Sequence, residues 1–464
     1  MASISFLGDL LGTITERGRD LIGLGRADAE AVARAGSAEL VRLCSDLISR
    51  RGEASGVALA RLILDRYAAL PRADRAAFLA RVADAFGSDE ARIERAIAAY
   101  RETPSRAALG ELHRAAEPKS QELIRRLNLA PGGTLSLVRM RETVLDLTAG
   151  PGDGEAGPSE ALRGLDGDFA HLFSSWFNRG FLVLRRIDWT TSAHILEKII
   201  RYEAVHTIRG WDDLRRRIEP PDRRCFAYFH PALLDEPLIF VEVALTRDIP
   251  AAIAPILAEE REPIPPGQAT TATFYSISNC QRGLSGVSFG NFLIKQVVED
   301  LARELPALKT FVTLSPVPGF ARWLDGERQS DEPAGLTPED QDVLNAIDEP
   351  GWHEDPAKAA ALRKALIPAA AYYFMKAKSA SGRALDPVAR FHLGNGARLE
   401  RLNHLGDLSP KGLSQSRGLM VNYLYDLASI ERNHEAYANQ GVVMASGPVQ
   451  KALKDLPDRA LAPA

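Results

Sequence analysis

The chain has 464 residues, 45% of them hydrophobic and 25% charged, with a formal net charge of −4. These values suit a globular protein of about two to three domains, and the near-neutral balance argues against a nucleic-acid surface. Three widely spaced cysteines, Cys44, Cys225 and Cys280, form no CxxC pair, so neither a structural zinc site nor a disulfide framework is expected.

From Met1 to about residue 179 the chain is rich in Ala, Leu and Arg, with apolar residues at helical intervals. Ala29, Val32, Ala33, Leu40, Leu43, Leu47 and Ile48 form one stripe; Val57, Leu59, Leu62, Ile63, Tyr67 and Leu70 form another, closed by Pro71. Further helices are predicted near 72–86, 88–102, 105–127, 135–148 and 158–177, separated by Pro104, Pro131-Gly-Gly133 and the stretch 150–154. No titratable cluster here suggests chemistry, so packing or oligomerisation is the expected role of residues 1–179.

The character changes at Gly180. Strands are expected at 181–184, 224–229, 238–245, 273–278 and 309–315, alternating with helices at 191–203, 249–260, 289–304 and 357–378. That order predicts an α+β domain with a mixed sheet over 180–464. The acidic, Pro- and Gly-punctuated segment 325–356 suits a mobile surface excursion. The basic run in 213–224 is interrupted by acids and reads as a solvated surface. The first twenty residues lack a basic leader region, no run of about 18 apolar residues occurs, and the C-terminus carries no peroxisomal tripeptide. A soluble, cytoplasmic protein with no membrane partner is expected.

The most informative stretch runs from Thr273 to Phe320. A β-rich run ends in Asn279 and meets Gly283, Gly286 and Gly290 before a helix begins. A strand feeding a glycine-rich turn into a helix N-terminus is a ready anion site. The GxxGxxxG spacing matches neither the Rossmann nor the P-loop fingerprint, which disfavours hydride transfer and nucleotide hydrolysis. A cradle for the diphosphate of an acyl-CoA remains, against the plain reading of three packing glycines. Ser276 lies in the strand before this loop. Ser315 ends the strand Phe311–Leu314 and is stopped by Pro316-Val-Pro318-Gly319, which places a hydroxyl at a rigid corner near strand ends. His392, in FHLGNG, is suited to move a proton near neutral pH. A turn-forming serine and a half-buried histidine are the plain alternatives. No GxSxG elbow and no HExxH motif occurs, so neither that hydrolase chemistry nor a metal site is expected.

Four motifs in order, FYSIS with GLSGVSFGNFLIKQVV, TLSPVPGFARWL, FHLGNGARLERLN and GLMVNYLYDL, resemble malonyl-CoA decarboxylase. The resemblance covers nearly all of 180–430. It implies an acyltransferase-like (GNAT) catalytic domain behind a helical domain, acting on malonyl-CoA with no metal or organic cofactor beyond the substrate's own CoA. It places catalytic roles on Ser315, His392, Ser276, Tyr425 and Lys198. It places acyl-CoA binding on Ser285, Gly286, Val287, Ser288, Phe289, Gly290 and Asn291, with Ser315 and His392. Animal members carry a glutamate where this chain has Ser288, so a steering carboxylate is not expected. A homodimer or homotetramer fits the helical half. Two alternatives of other classes are an acyltransferase of the same fold and a non-catalytic acyl-CoA sensor.

Overall fold

The computed structural model describes residues 36–49, 52–149, 159–289, 293–380 and 382–454. The chain divides into two compact units: one comprises residues 1–182 with 230–234 and 281–289, the other the remainder.

The first unit is helical. Its elements are α1 (Ser37–Ser49), α2 (Glu53–Ala69), α3 (Arg72–Ala85), α4 (Glu90–Glu102), α5 (Arg106–Ala116), α6 (Lys119–Leu127), α7 (Gly133–Thr148) and α8 (Glu160–Trp176). Local chemistry sets the boundaries. Asp89, Ser105 and Ser159 accept hydrogen bonds from Arg92 N, Ala108 N and Leu162 N, satisfying first-turn donors. The single helix expected over 105–127 is two helices, because Pro118 sits in extended backbone and opens α6. The stripe residues Ala29, Val32 and Ala33, and the stretch 150–154, lie outside the described residues.

The glycine-rich segment 281–289 belongs to this unit. Arg141 of α7, only 3% exposed, pairs with Asp166 at 2.8 Å and donates to the carbonyls of Gly283 and Ser285, both at 2.9 Å. A Cβ on Gly283 would stand 1.9 Å from the Val138 carbonyl oxygen, so only glycine lets this loop lie against α7.

The second unit is a mixed sheet with helices, as expected. Its strands are β1 (Val183–Ile187), β2 (Arg223–Phe229), β3 (Pro237–Thr246), β4 (Thr271–Asn279), β5 (Thr310–Thr313), β6 (Ser315–Pro316), β7 (Arg398–Asn403) and β8 (Met420–Leu424). They run in the order β1-β2-β3-β4-β5-β8-β6, with β7 on β8. The β4–β5 pair is parallel, joined by a crossover that includes α11 (Leu293–Glu304); the other named pairs are antiparallel. Helix α9 (Ala193–Tyr202) covers one face, burying Ile195, Leu196 and Ile199 against Cys225, Ala227 and Phe240; α10 (Trp211–Ile218) adds Leu214 and Ile218.

Three differences from expectation have clear causes. Strands β7 and β8 fall in motif-bearing segments read for their chemistry, although Met420–Leu424 is apolar enough to be buried in a sheet. The helix expected over 249–260 shrinks to 254–257, ended by Ala258 in extended backbone. The acidic excursion 325–356 is ordered locally. Its α12 (Phe320–Gln329) and α13 (Pro338–Leu344) are tied down by a capping box between Thr337 and Asp340 and by ion pairs of Arg328 with Asp348 and Arg417 with Asp325.

Candidate active site

The site is built where two neighbouring strands part. β4 and β5 pair only from Thr271↔Thr310 to Phe274↔Thr313, and β4 then runs on to Asn279 paired with β3 on its other side but no longer with β5. Leu314 N still donates to Phe274 O at 2.9 Å, but Ser315 and Pro316 pair instead with Val421 and Met420 of β8. Ser315 therefore sits at the point of transfer between partners, fixed by Pro316 and Pro318.

His392 approaches from α15 (Pro387–Gly394), after α14 (Pro356–Met375) has crossed the unit. Its Nε2 lies 3.2 Å from Ser315 Oγ and its Nδ1 lies 2.8 Å from Tyr425 Oη. Ser315 Oγ donates to Thr313 Oγ1 at 2.9 Å, and Thr313 Oγ1 also accepts from Tyr423 N at 3.1 Å. With the serine proton committed to Thr313, Nε2 carries the imidazole hydrogen and Nδ1 accepts from Tyr425. The result is one directed chain of donors, Tyr425 to His392 to Ser315 to Thr313. The imidazole stacks on Tyr423 with ring centroids 4.6 Å apart, and Tyr425 packs near Phe274.

The chain is dry. Ser315, His392 and Tyr425 are 5%, 2% and 1% exposed. Burial lowers the His392 pKa to about 3 and raises that of Tyr425 well above the ordinary phenol value. At neutral pH both are uncharged, so the chain offers polarity without net charge.

Asp386 unites the two halves of this arrangement. It caps α15 by accepting from Ala389 N at 2.9 Å, and its carboxylate also accepts from Gly319 N in the turn after Ser315 and from Tyr373 Oη at 3.4 Å. Burial raises its pKa against those hydrogen bonds.

Other residues expected at the site are held elsewhere. Ser276 Oγ donates to the Glu203 carboxylate at 2.7 and 2.9 Å, and Ser278 joins it at 3.1 Å. Glu203 also accepts from Val205 N and His206 N, so Ser276 belongs to a buried carboxylate cluster beside the end of α9. Lys198 pairs with Glu236 at 2.9 Å and donates to Asp235 O at 3.1 Å. Among the described residues, no hydrogen bond or ion pair joins Ser276 or Lys198 to the Ser315–His392 chain. Ser285 to Phe289 lie in the loop carried on α7, with Gly286 at φ +77°; Gly290 and Asn291 lie outside the described residues. Thr313, Tyr423 and Asp386 were not singled out by sequence. Asp386 carried a signal, an Asp-Pro step opening a helix; Thr313 and Tyr423 carried none.

Among the described residues no group of His, Cys, Asp and Glu is placed to hold a metal ion, and no helix is long and apolar enough to cross a membrane. All three cysteines are buried, and burial raises their thiol pKa values, that of Cys44 to about 12.

Residues 180–462 match the Malonyl-CoA decarboxylase C-terminal domain and residues 86–177 match the Malonyl-CoA decarboxylase N-terminal domain. The chain belongs to the malonyl-CoA decarboxylase family. It is 37% identical to the mitochondrial malonyl-CoA decarboxylase of Anser anser anser over 72% of this chain and 69% of that protein. It is 35% identical to the mitochondrial enzyme of Rattus norvegicus over 81% of this chain and 80% of that one. The crystal structure of malonyl-CoA decarboxylase from Rhodopseudomonas palustris matches with TM-score 0.86 at 60% identity, covering 90% of this chain and 100% of that one. That from Agrobacterium vitis matches with TM-score 0.83 at 58% identity, covering 89% and 99%. Family membership and the donor chain thus rest on separate observations, one on matched sequence and one on side-chain geometry.

Proposed function

We propose that this member of the malonyl-CoA decarboxylase family converts malonyl-CoA to acetyl-CoA and CO2, with Ser315 and His392 at the reacting carbon. The observation that carries the assignment of residues is the Tyr425–His392–Ser315 chain at the parting of β4 and β5.

Decarboxylation breaks the bond between the carboxylate carbon and the α-carbon. CO2 leaves, and the electron pair moves onto the thioester as an enolate. A proton must then reach the α-carbon to give the methyl group of acetyl-CoA. Donors preorganised around the developing oxyanion supply about 2.7–4 kcal/mol each when removal is measured. The Ser315 hydroxyl, turned from Thr313 toward the substrate, donates to the enolate or its α-carbon. The His392 Nε2 hydrogen follows onto Ser315 Oγ, and Tyr425 supports Nδ1. One proton is taken from water per turnover to restore the chain. Neutral donors suit this step, because a resident imidazolium would pair with the substrate carboxylate and stabilise the ground state as well as the transition state.

In this reading no metal or organic cofactor takes part. Ser276 and Lys198 act as buried supports, and the 285–291 loop meets the CoA portion. The chain works in the cytoplasm as a homo-oligomer through its helical unit. The exposed α4–α5 pair supports that last point, since these helices bury only Ala96 and Ala115 and leave Leu109 53% exposed.

The test incubates purified protein with malonyl-CoA, a chelator and no acceptor, and follows acyl-CoA species by mass spectrometry. Acetyl-CoA and CO2 should form in equal amounts, and Ser315→Ala and His392→Ala should each lower the rate at least ~100-fold. Saturable binding without turnover would replace this reading with a sensor. Product that forms only when an amine is added would replace it with an acyltransferase.

A further inference from the structure

Successive residues of a strand point to opposite faces, so Asn422 of β8 faces away from the side on which Tyr423 meets His392. On the Asn422 side a polar cluster abuts a cavity of about 580 Å³. Arg401 Nε donates to Asn403 Oδ1 at 2.7 Å and to Asn422 Oδ1 at 3.1 Å, and its Nη2 donates to Ile249 O at 2.9 Å. Asn422 Nδ2 in turn donates to Thr313 O at 2.7 Å.

The cavity's charge is one-sided. Arg363, Arg401 and His404 line it, and no aspartate or glutamate does so among the described residues. Burial lowers the Arg401 pKa, Glu400 opposes this, and Glu400 is itself engaged by Arg398 at 2.7 Å. Among the described residues, Arg363 has no ion-pair partner. The Nε2 of His404 is buried without a hydrogen-bond partner. Arg363 is exposed with no carboxylate partner, and Arg401 is half-buried with its hydrogen bonds spent on neutral acceptors, so the pair presents positive charge that an anion can meet with charge-assisted hydrogen bonds. Ile367, Leu402 and Val449 supply an apolar wall. A simple inorganic ion would leave that wall wet.

We propose that this cavity binds a short-chain monocarboxylate, its head between Arg363 and Arg401 and its carbon chain against Ile367, Leu402 and Val449. The site lies behind the sheet from the donor chain and is distinct from the place where malonyl-CoA reacts. Its ligand nevertheless grips Arg401, which is two hydrogen bonds, through Asn422, from the backbone carbonyl of Thr313, the residue whose hydroxyl accepts the Ser315 proton.

Hexanoate is the probe, titrated calorimetrically into the full chain, with hexanol and inorganic phosphate in parallel. Hexanoate should bind saturably at millimolar or lower concentration, and both controls at least ~10-fold more weakly. Arg363→Glu should weaken hexanoate by a similar factor. The exposed Arg363 leaves little reason for misfolding, and Arg363→Gln gives an intermediate loss if the charge reversal does not fold. No saturable binding, equal binding of phosphate, or unchanged binding to Arg363→Glu would overturn the proposal. In the rate assay, which rests on the proposed decarboxylation, competition between hexanoate and malonyl-CoA would also overturn it by placing the acid at the reacting site. The calorimetric result stands whether or not the protein decarboxylates malonyl-CoA.

Discussion

Tyr425→Phe isolates the polarity of the donor chain from the rest of the site. The substitution removes one oxygen and leaves the ring near Phe274, where the centroids are 6.4 Å apart. It strips Nδ1 of the donor that stands 2.8 Å away, in a place where His392 is 2% exposed and no bulk water can substitute. An unsatisfied buried acceptor costs about 1–3 kcal/mol. The imidazole can escape that cost by moving its hydrogen to Nδ1, which turns Nε2 into an acceptor facing Ser315 Oγ at 3.2 Å. The serine would then be drawn toward the imidazole and away from the substrate. A loss of about 1.4–2.8 kcal/mol of transition-state stabilisation lowers kcat by about 10–100-fold. Because Tyr425 acts through His392, KM for malonyl-CoA should stay within about twofold. Steady-state release of acetyl-CoA measures both constants, and 15N chemical shifts of the imidazole report its tautomer. A kcat within twofold of the unaltered protein, or a loss confined to KM, would refute the directed chain. So would a strongly reduced kcat with the tautomer unchanged.

Three further outcomes follow from burial and close packing. Since burial holds the His392 pKa at about 3, below the ordinary 6.5, kcat/KM should show no limb between pH 6 and 7 from this residue. The unfolded chain binds its proton first as pH falls, so the stability tied to neutral His392 is intact above about 6.5 and drains away toward pH 3; a kcat/KM profile checks the first statement and denaturant midpoints at stepped pH the second. Gly319→Ala would set a Cβ 2.5 Å from Tyr373 Oη, beside Asp386, and should cost about 1–3 kcal/mol on thermal unfolding while reducing kcat, with kcat unchanged counting against Asp386 as a positioning residue. Cys225 and Cys280, whose thiols burial pushes well above the ordinary range, should resist an aromatic disulfide reagent in the native state and react only on unfolding. Rapid labelling of folded protein would show that their surroundings open.

Much of the architecture was legible because the two halves are written in different periods. The helical half repeats apolar residues every three to four positions, and the strands of the second half are short β-branched and aromatic runs bounded by turns. Ser315 was legible too, since two prolines within three residues leave its backbone little freedom. The partners of Ser315 were less so. Thr313 is one of several buried threonines, and nothing local says that its hydroxyl accepts from both Ser315 and Tyr423 N. Those contacts exist because β8 inserts beside β5 from over a hundred residues downstream. The pairing of residues so far apart is a property of the closed sheet, not of either segment.

Ser276 shows how a single extra residue redirects a side chain. Simple alternation along β4 puts Phe274, Ser276 and Ser278 on one face, so a serine two residues from the aromatic packed near Tyr425 reads as a companion of the site. The β3–β4 register interrupts that alternation. Val243 pairs with Phe274 and Glu242 with Ser276, which leaves Tyr275 without an opposite residue. Because Val243 and Glu242 face opposite ways, Phe274 and Ser276 do so as well. Phe274 looks toward Tyr425, whereas Ser276 shares the α9 face with Phe240 and meets Glu203. The bulge lies where β4 is about to lose β5 as its partner. One irregularity thus turns Ser276 into the carboxylate cluster and leaves the opposite face to the aromatic wall beside His392.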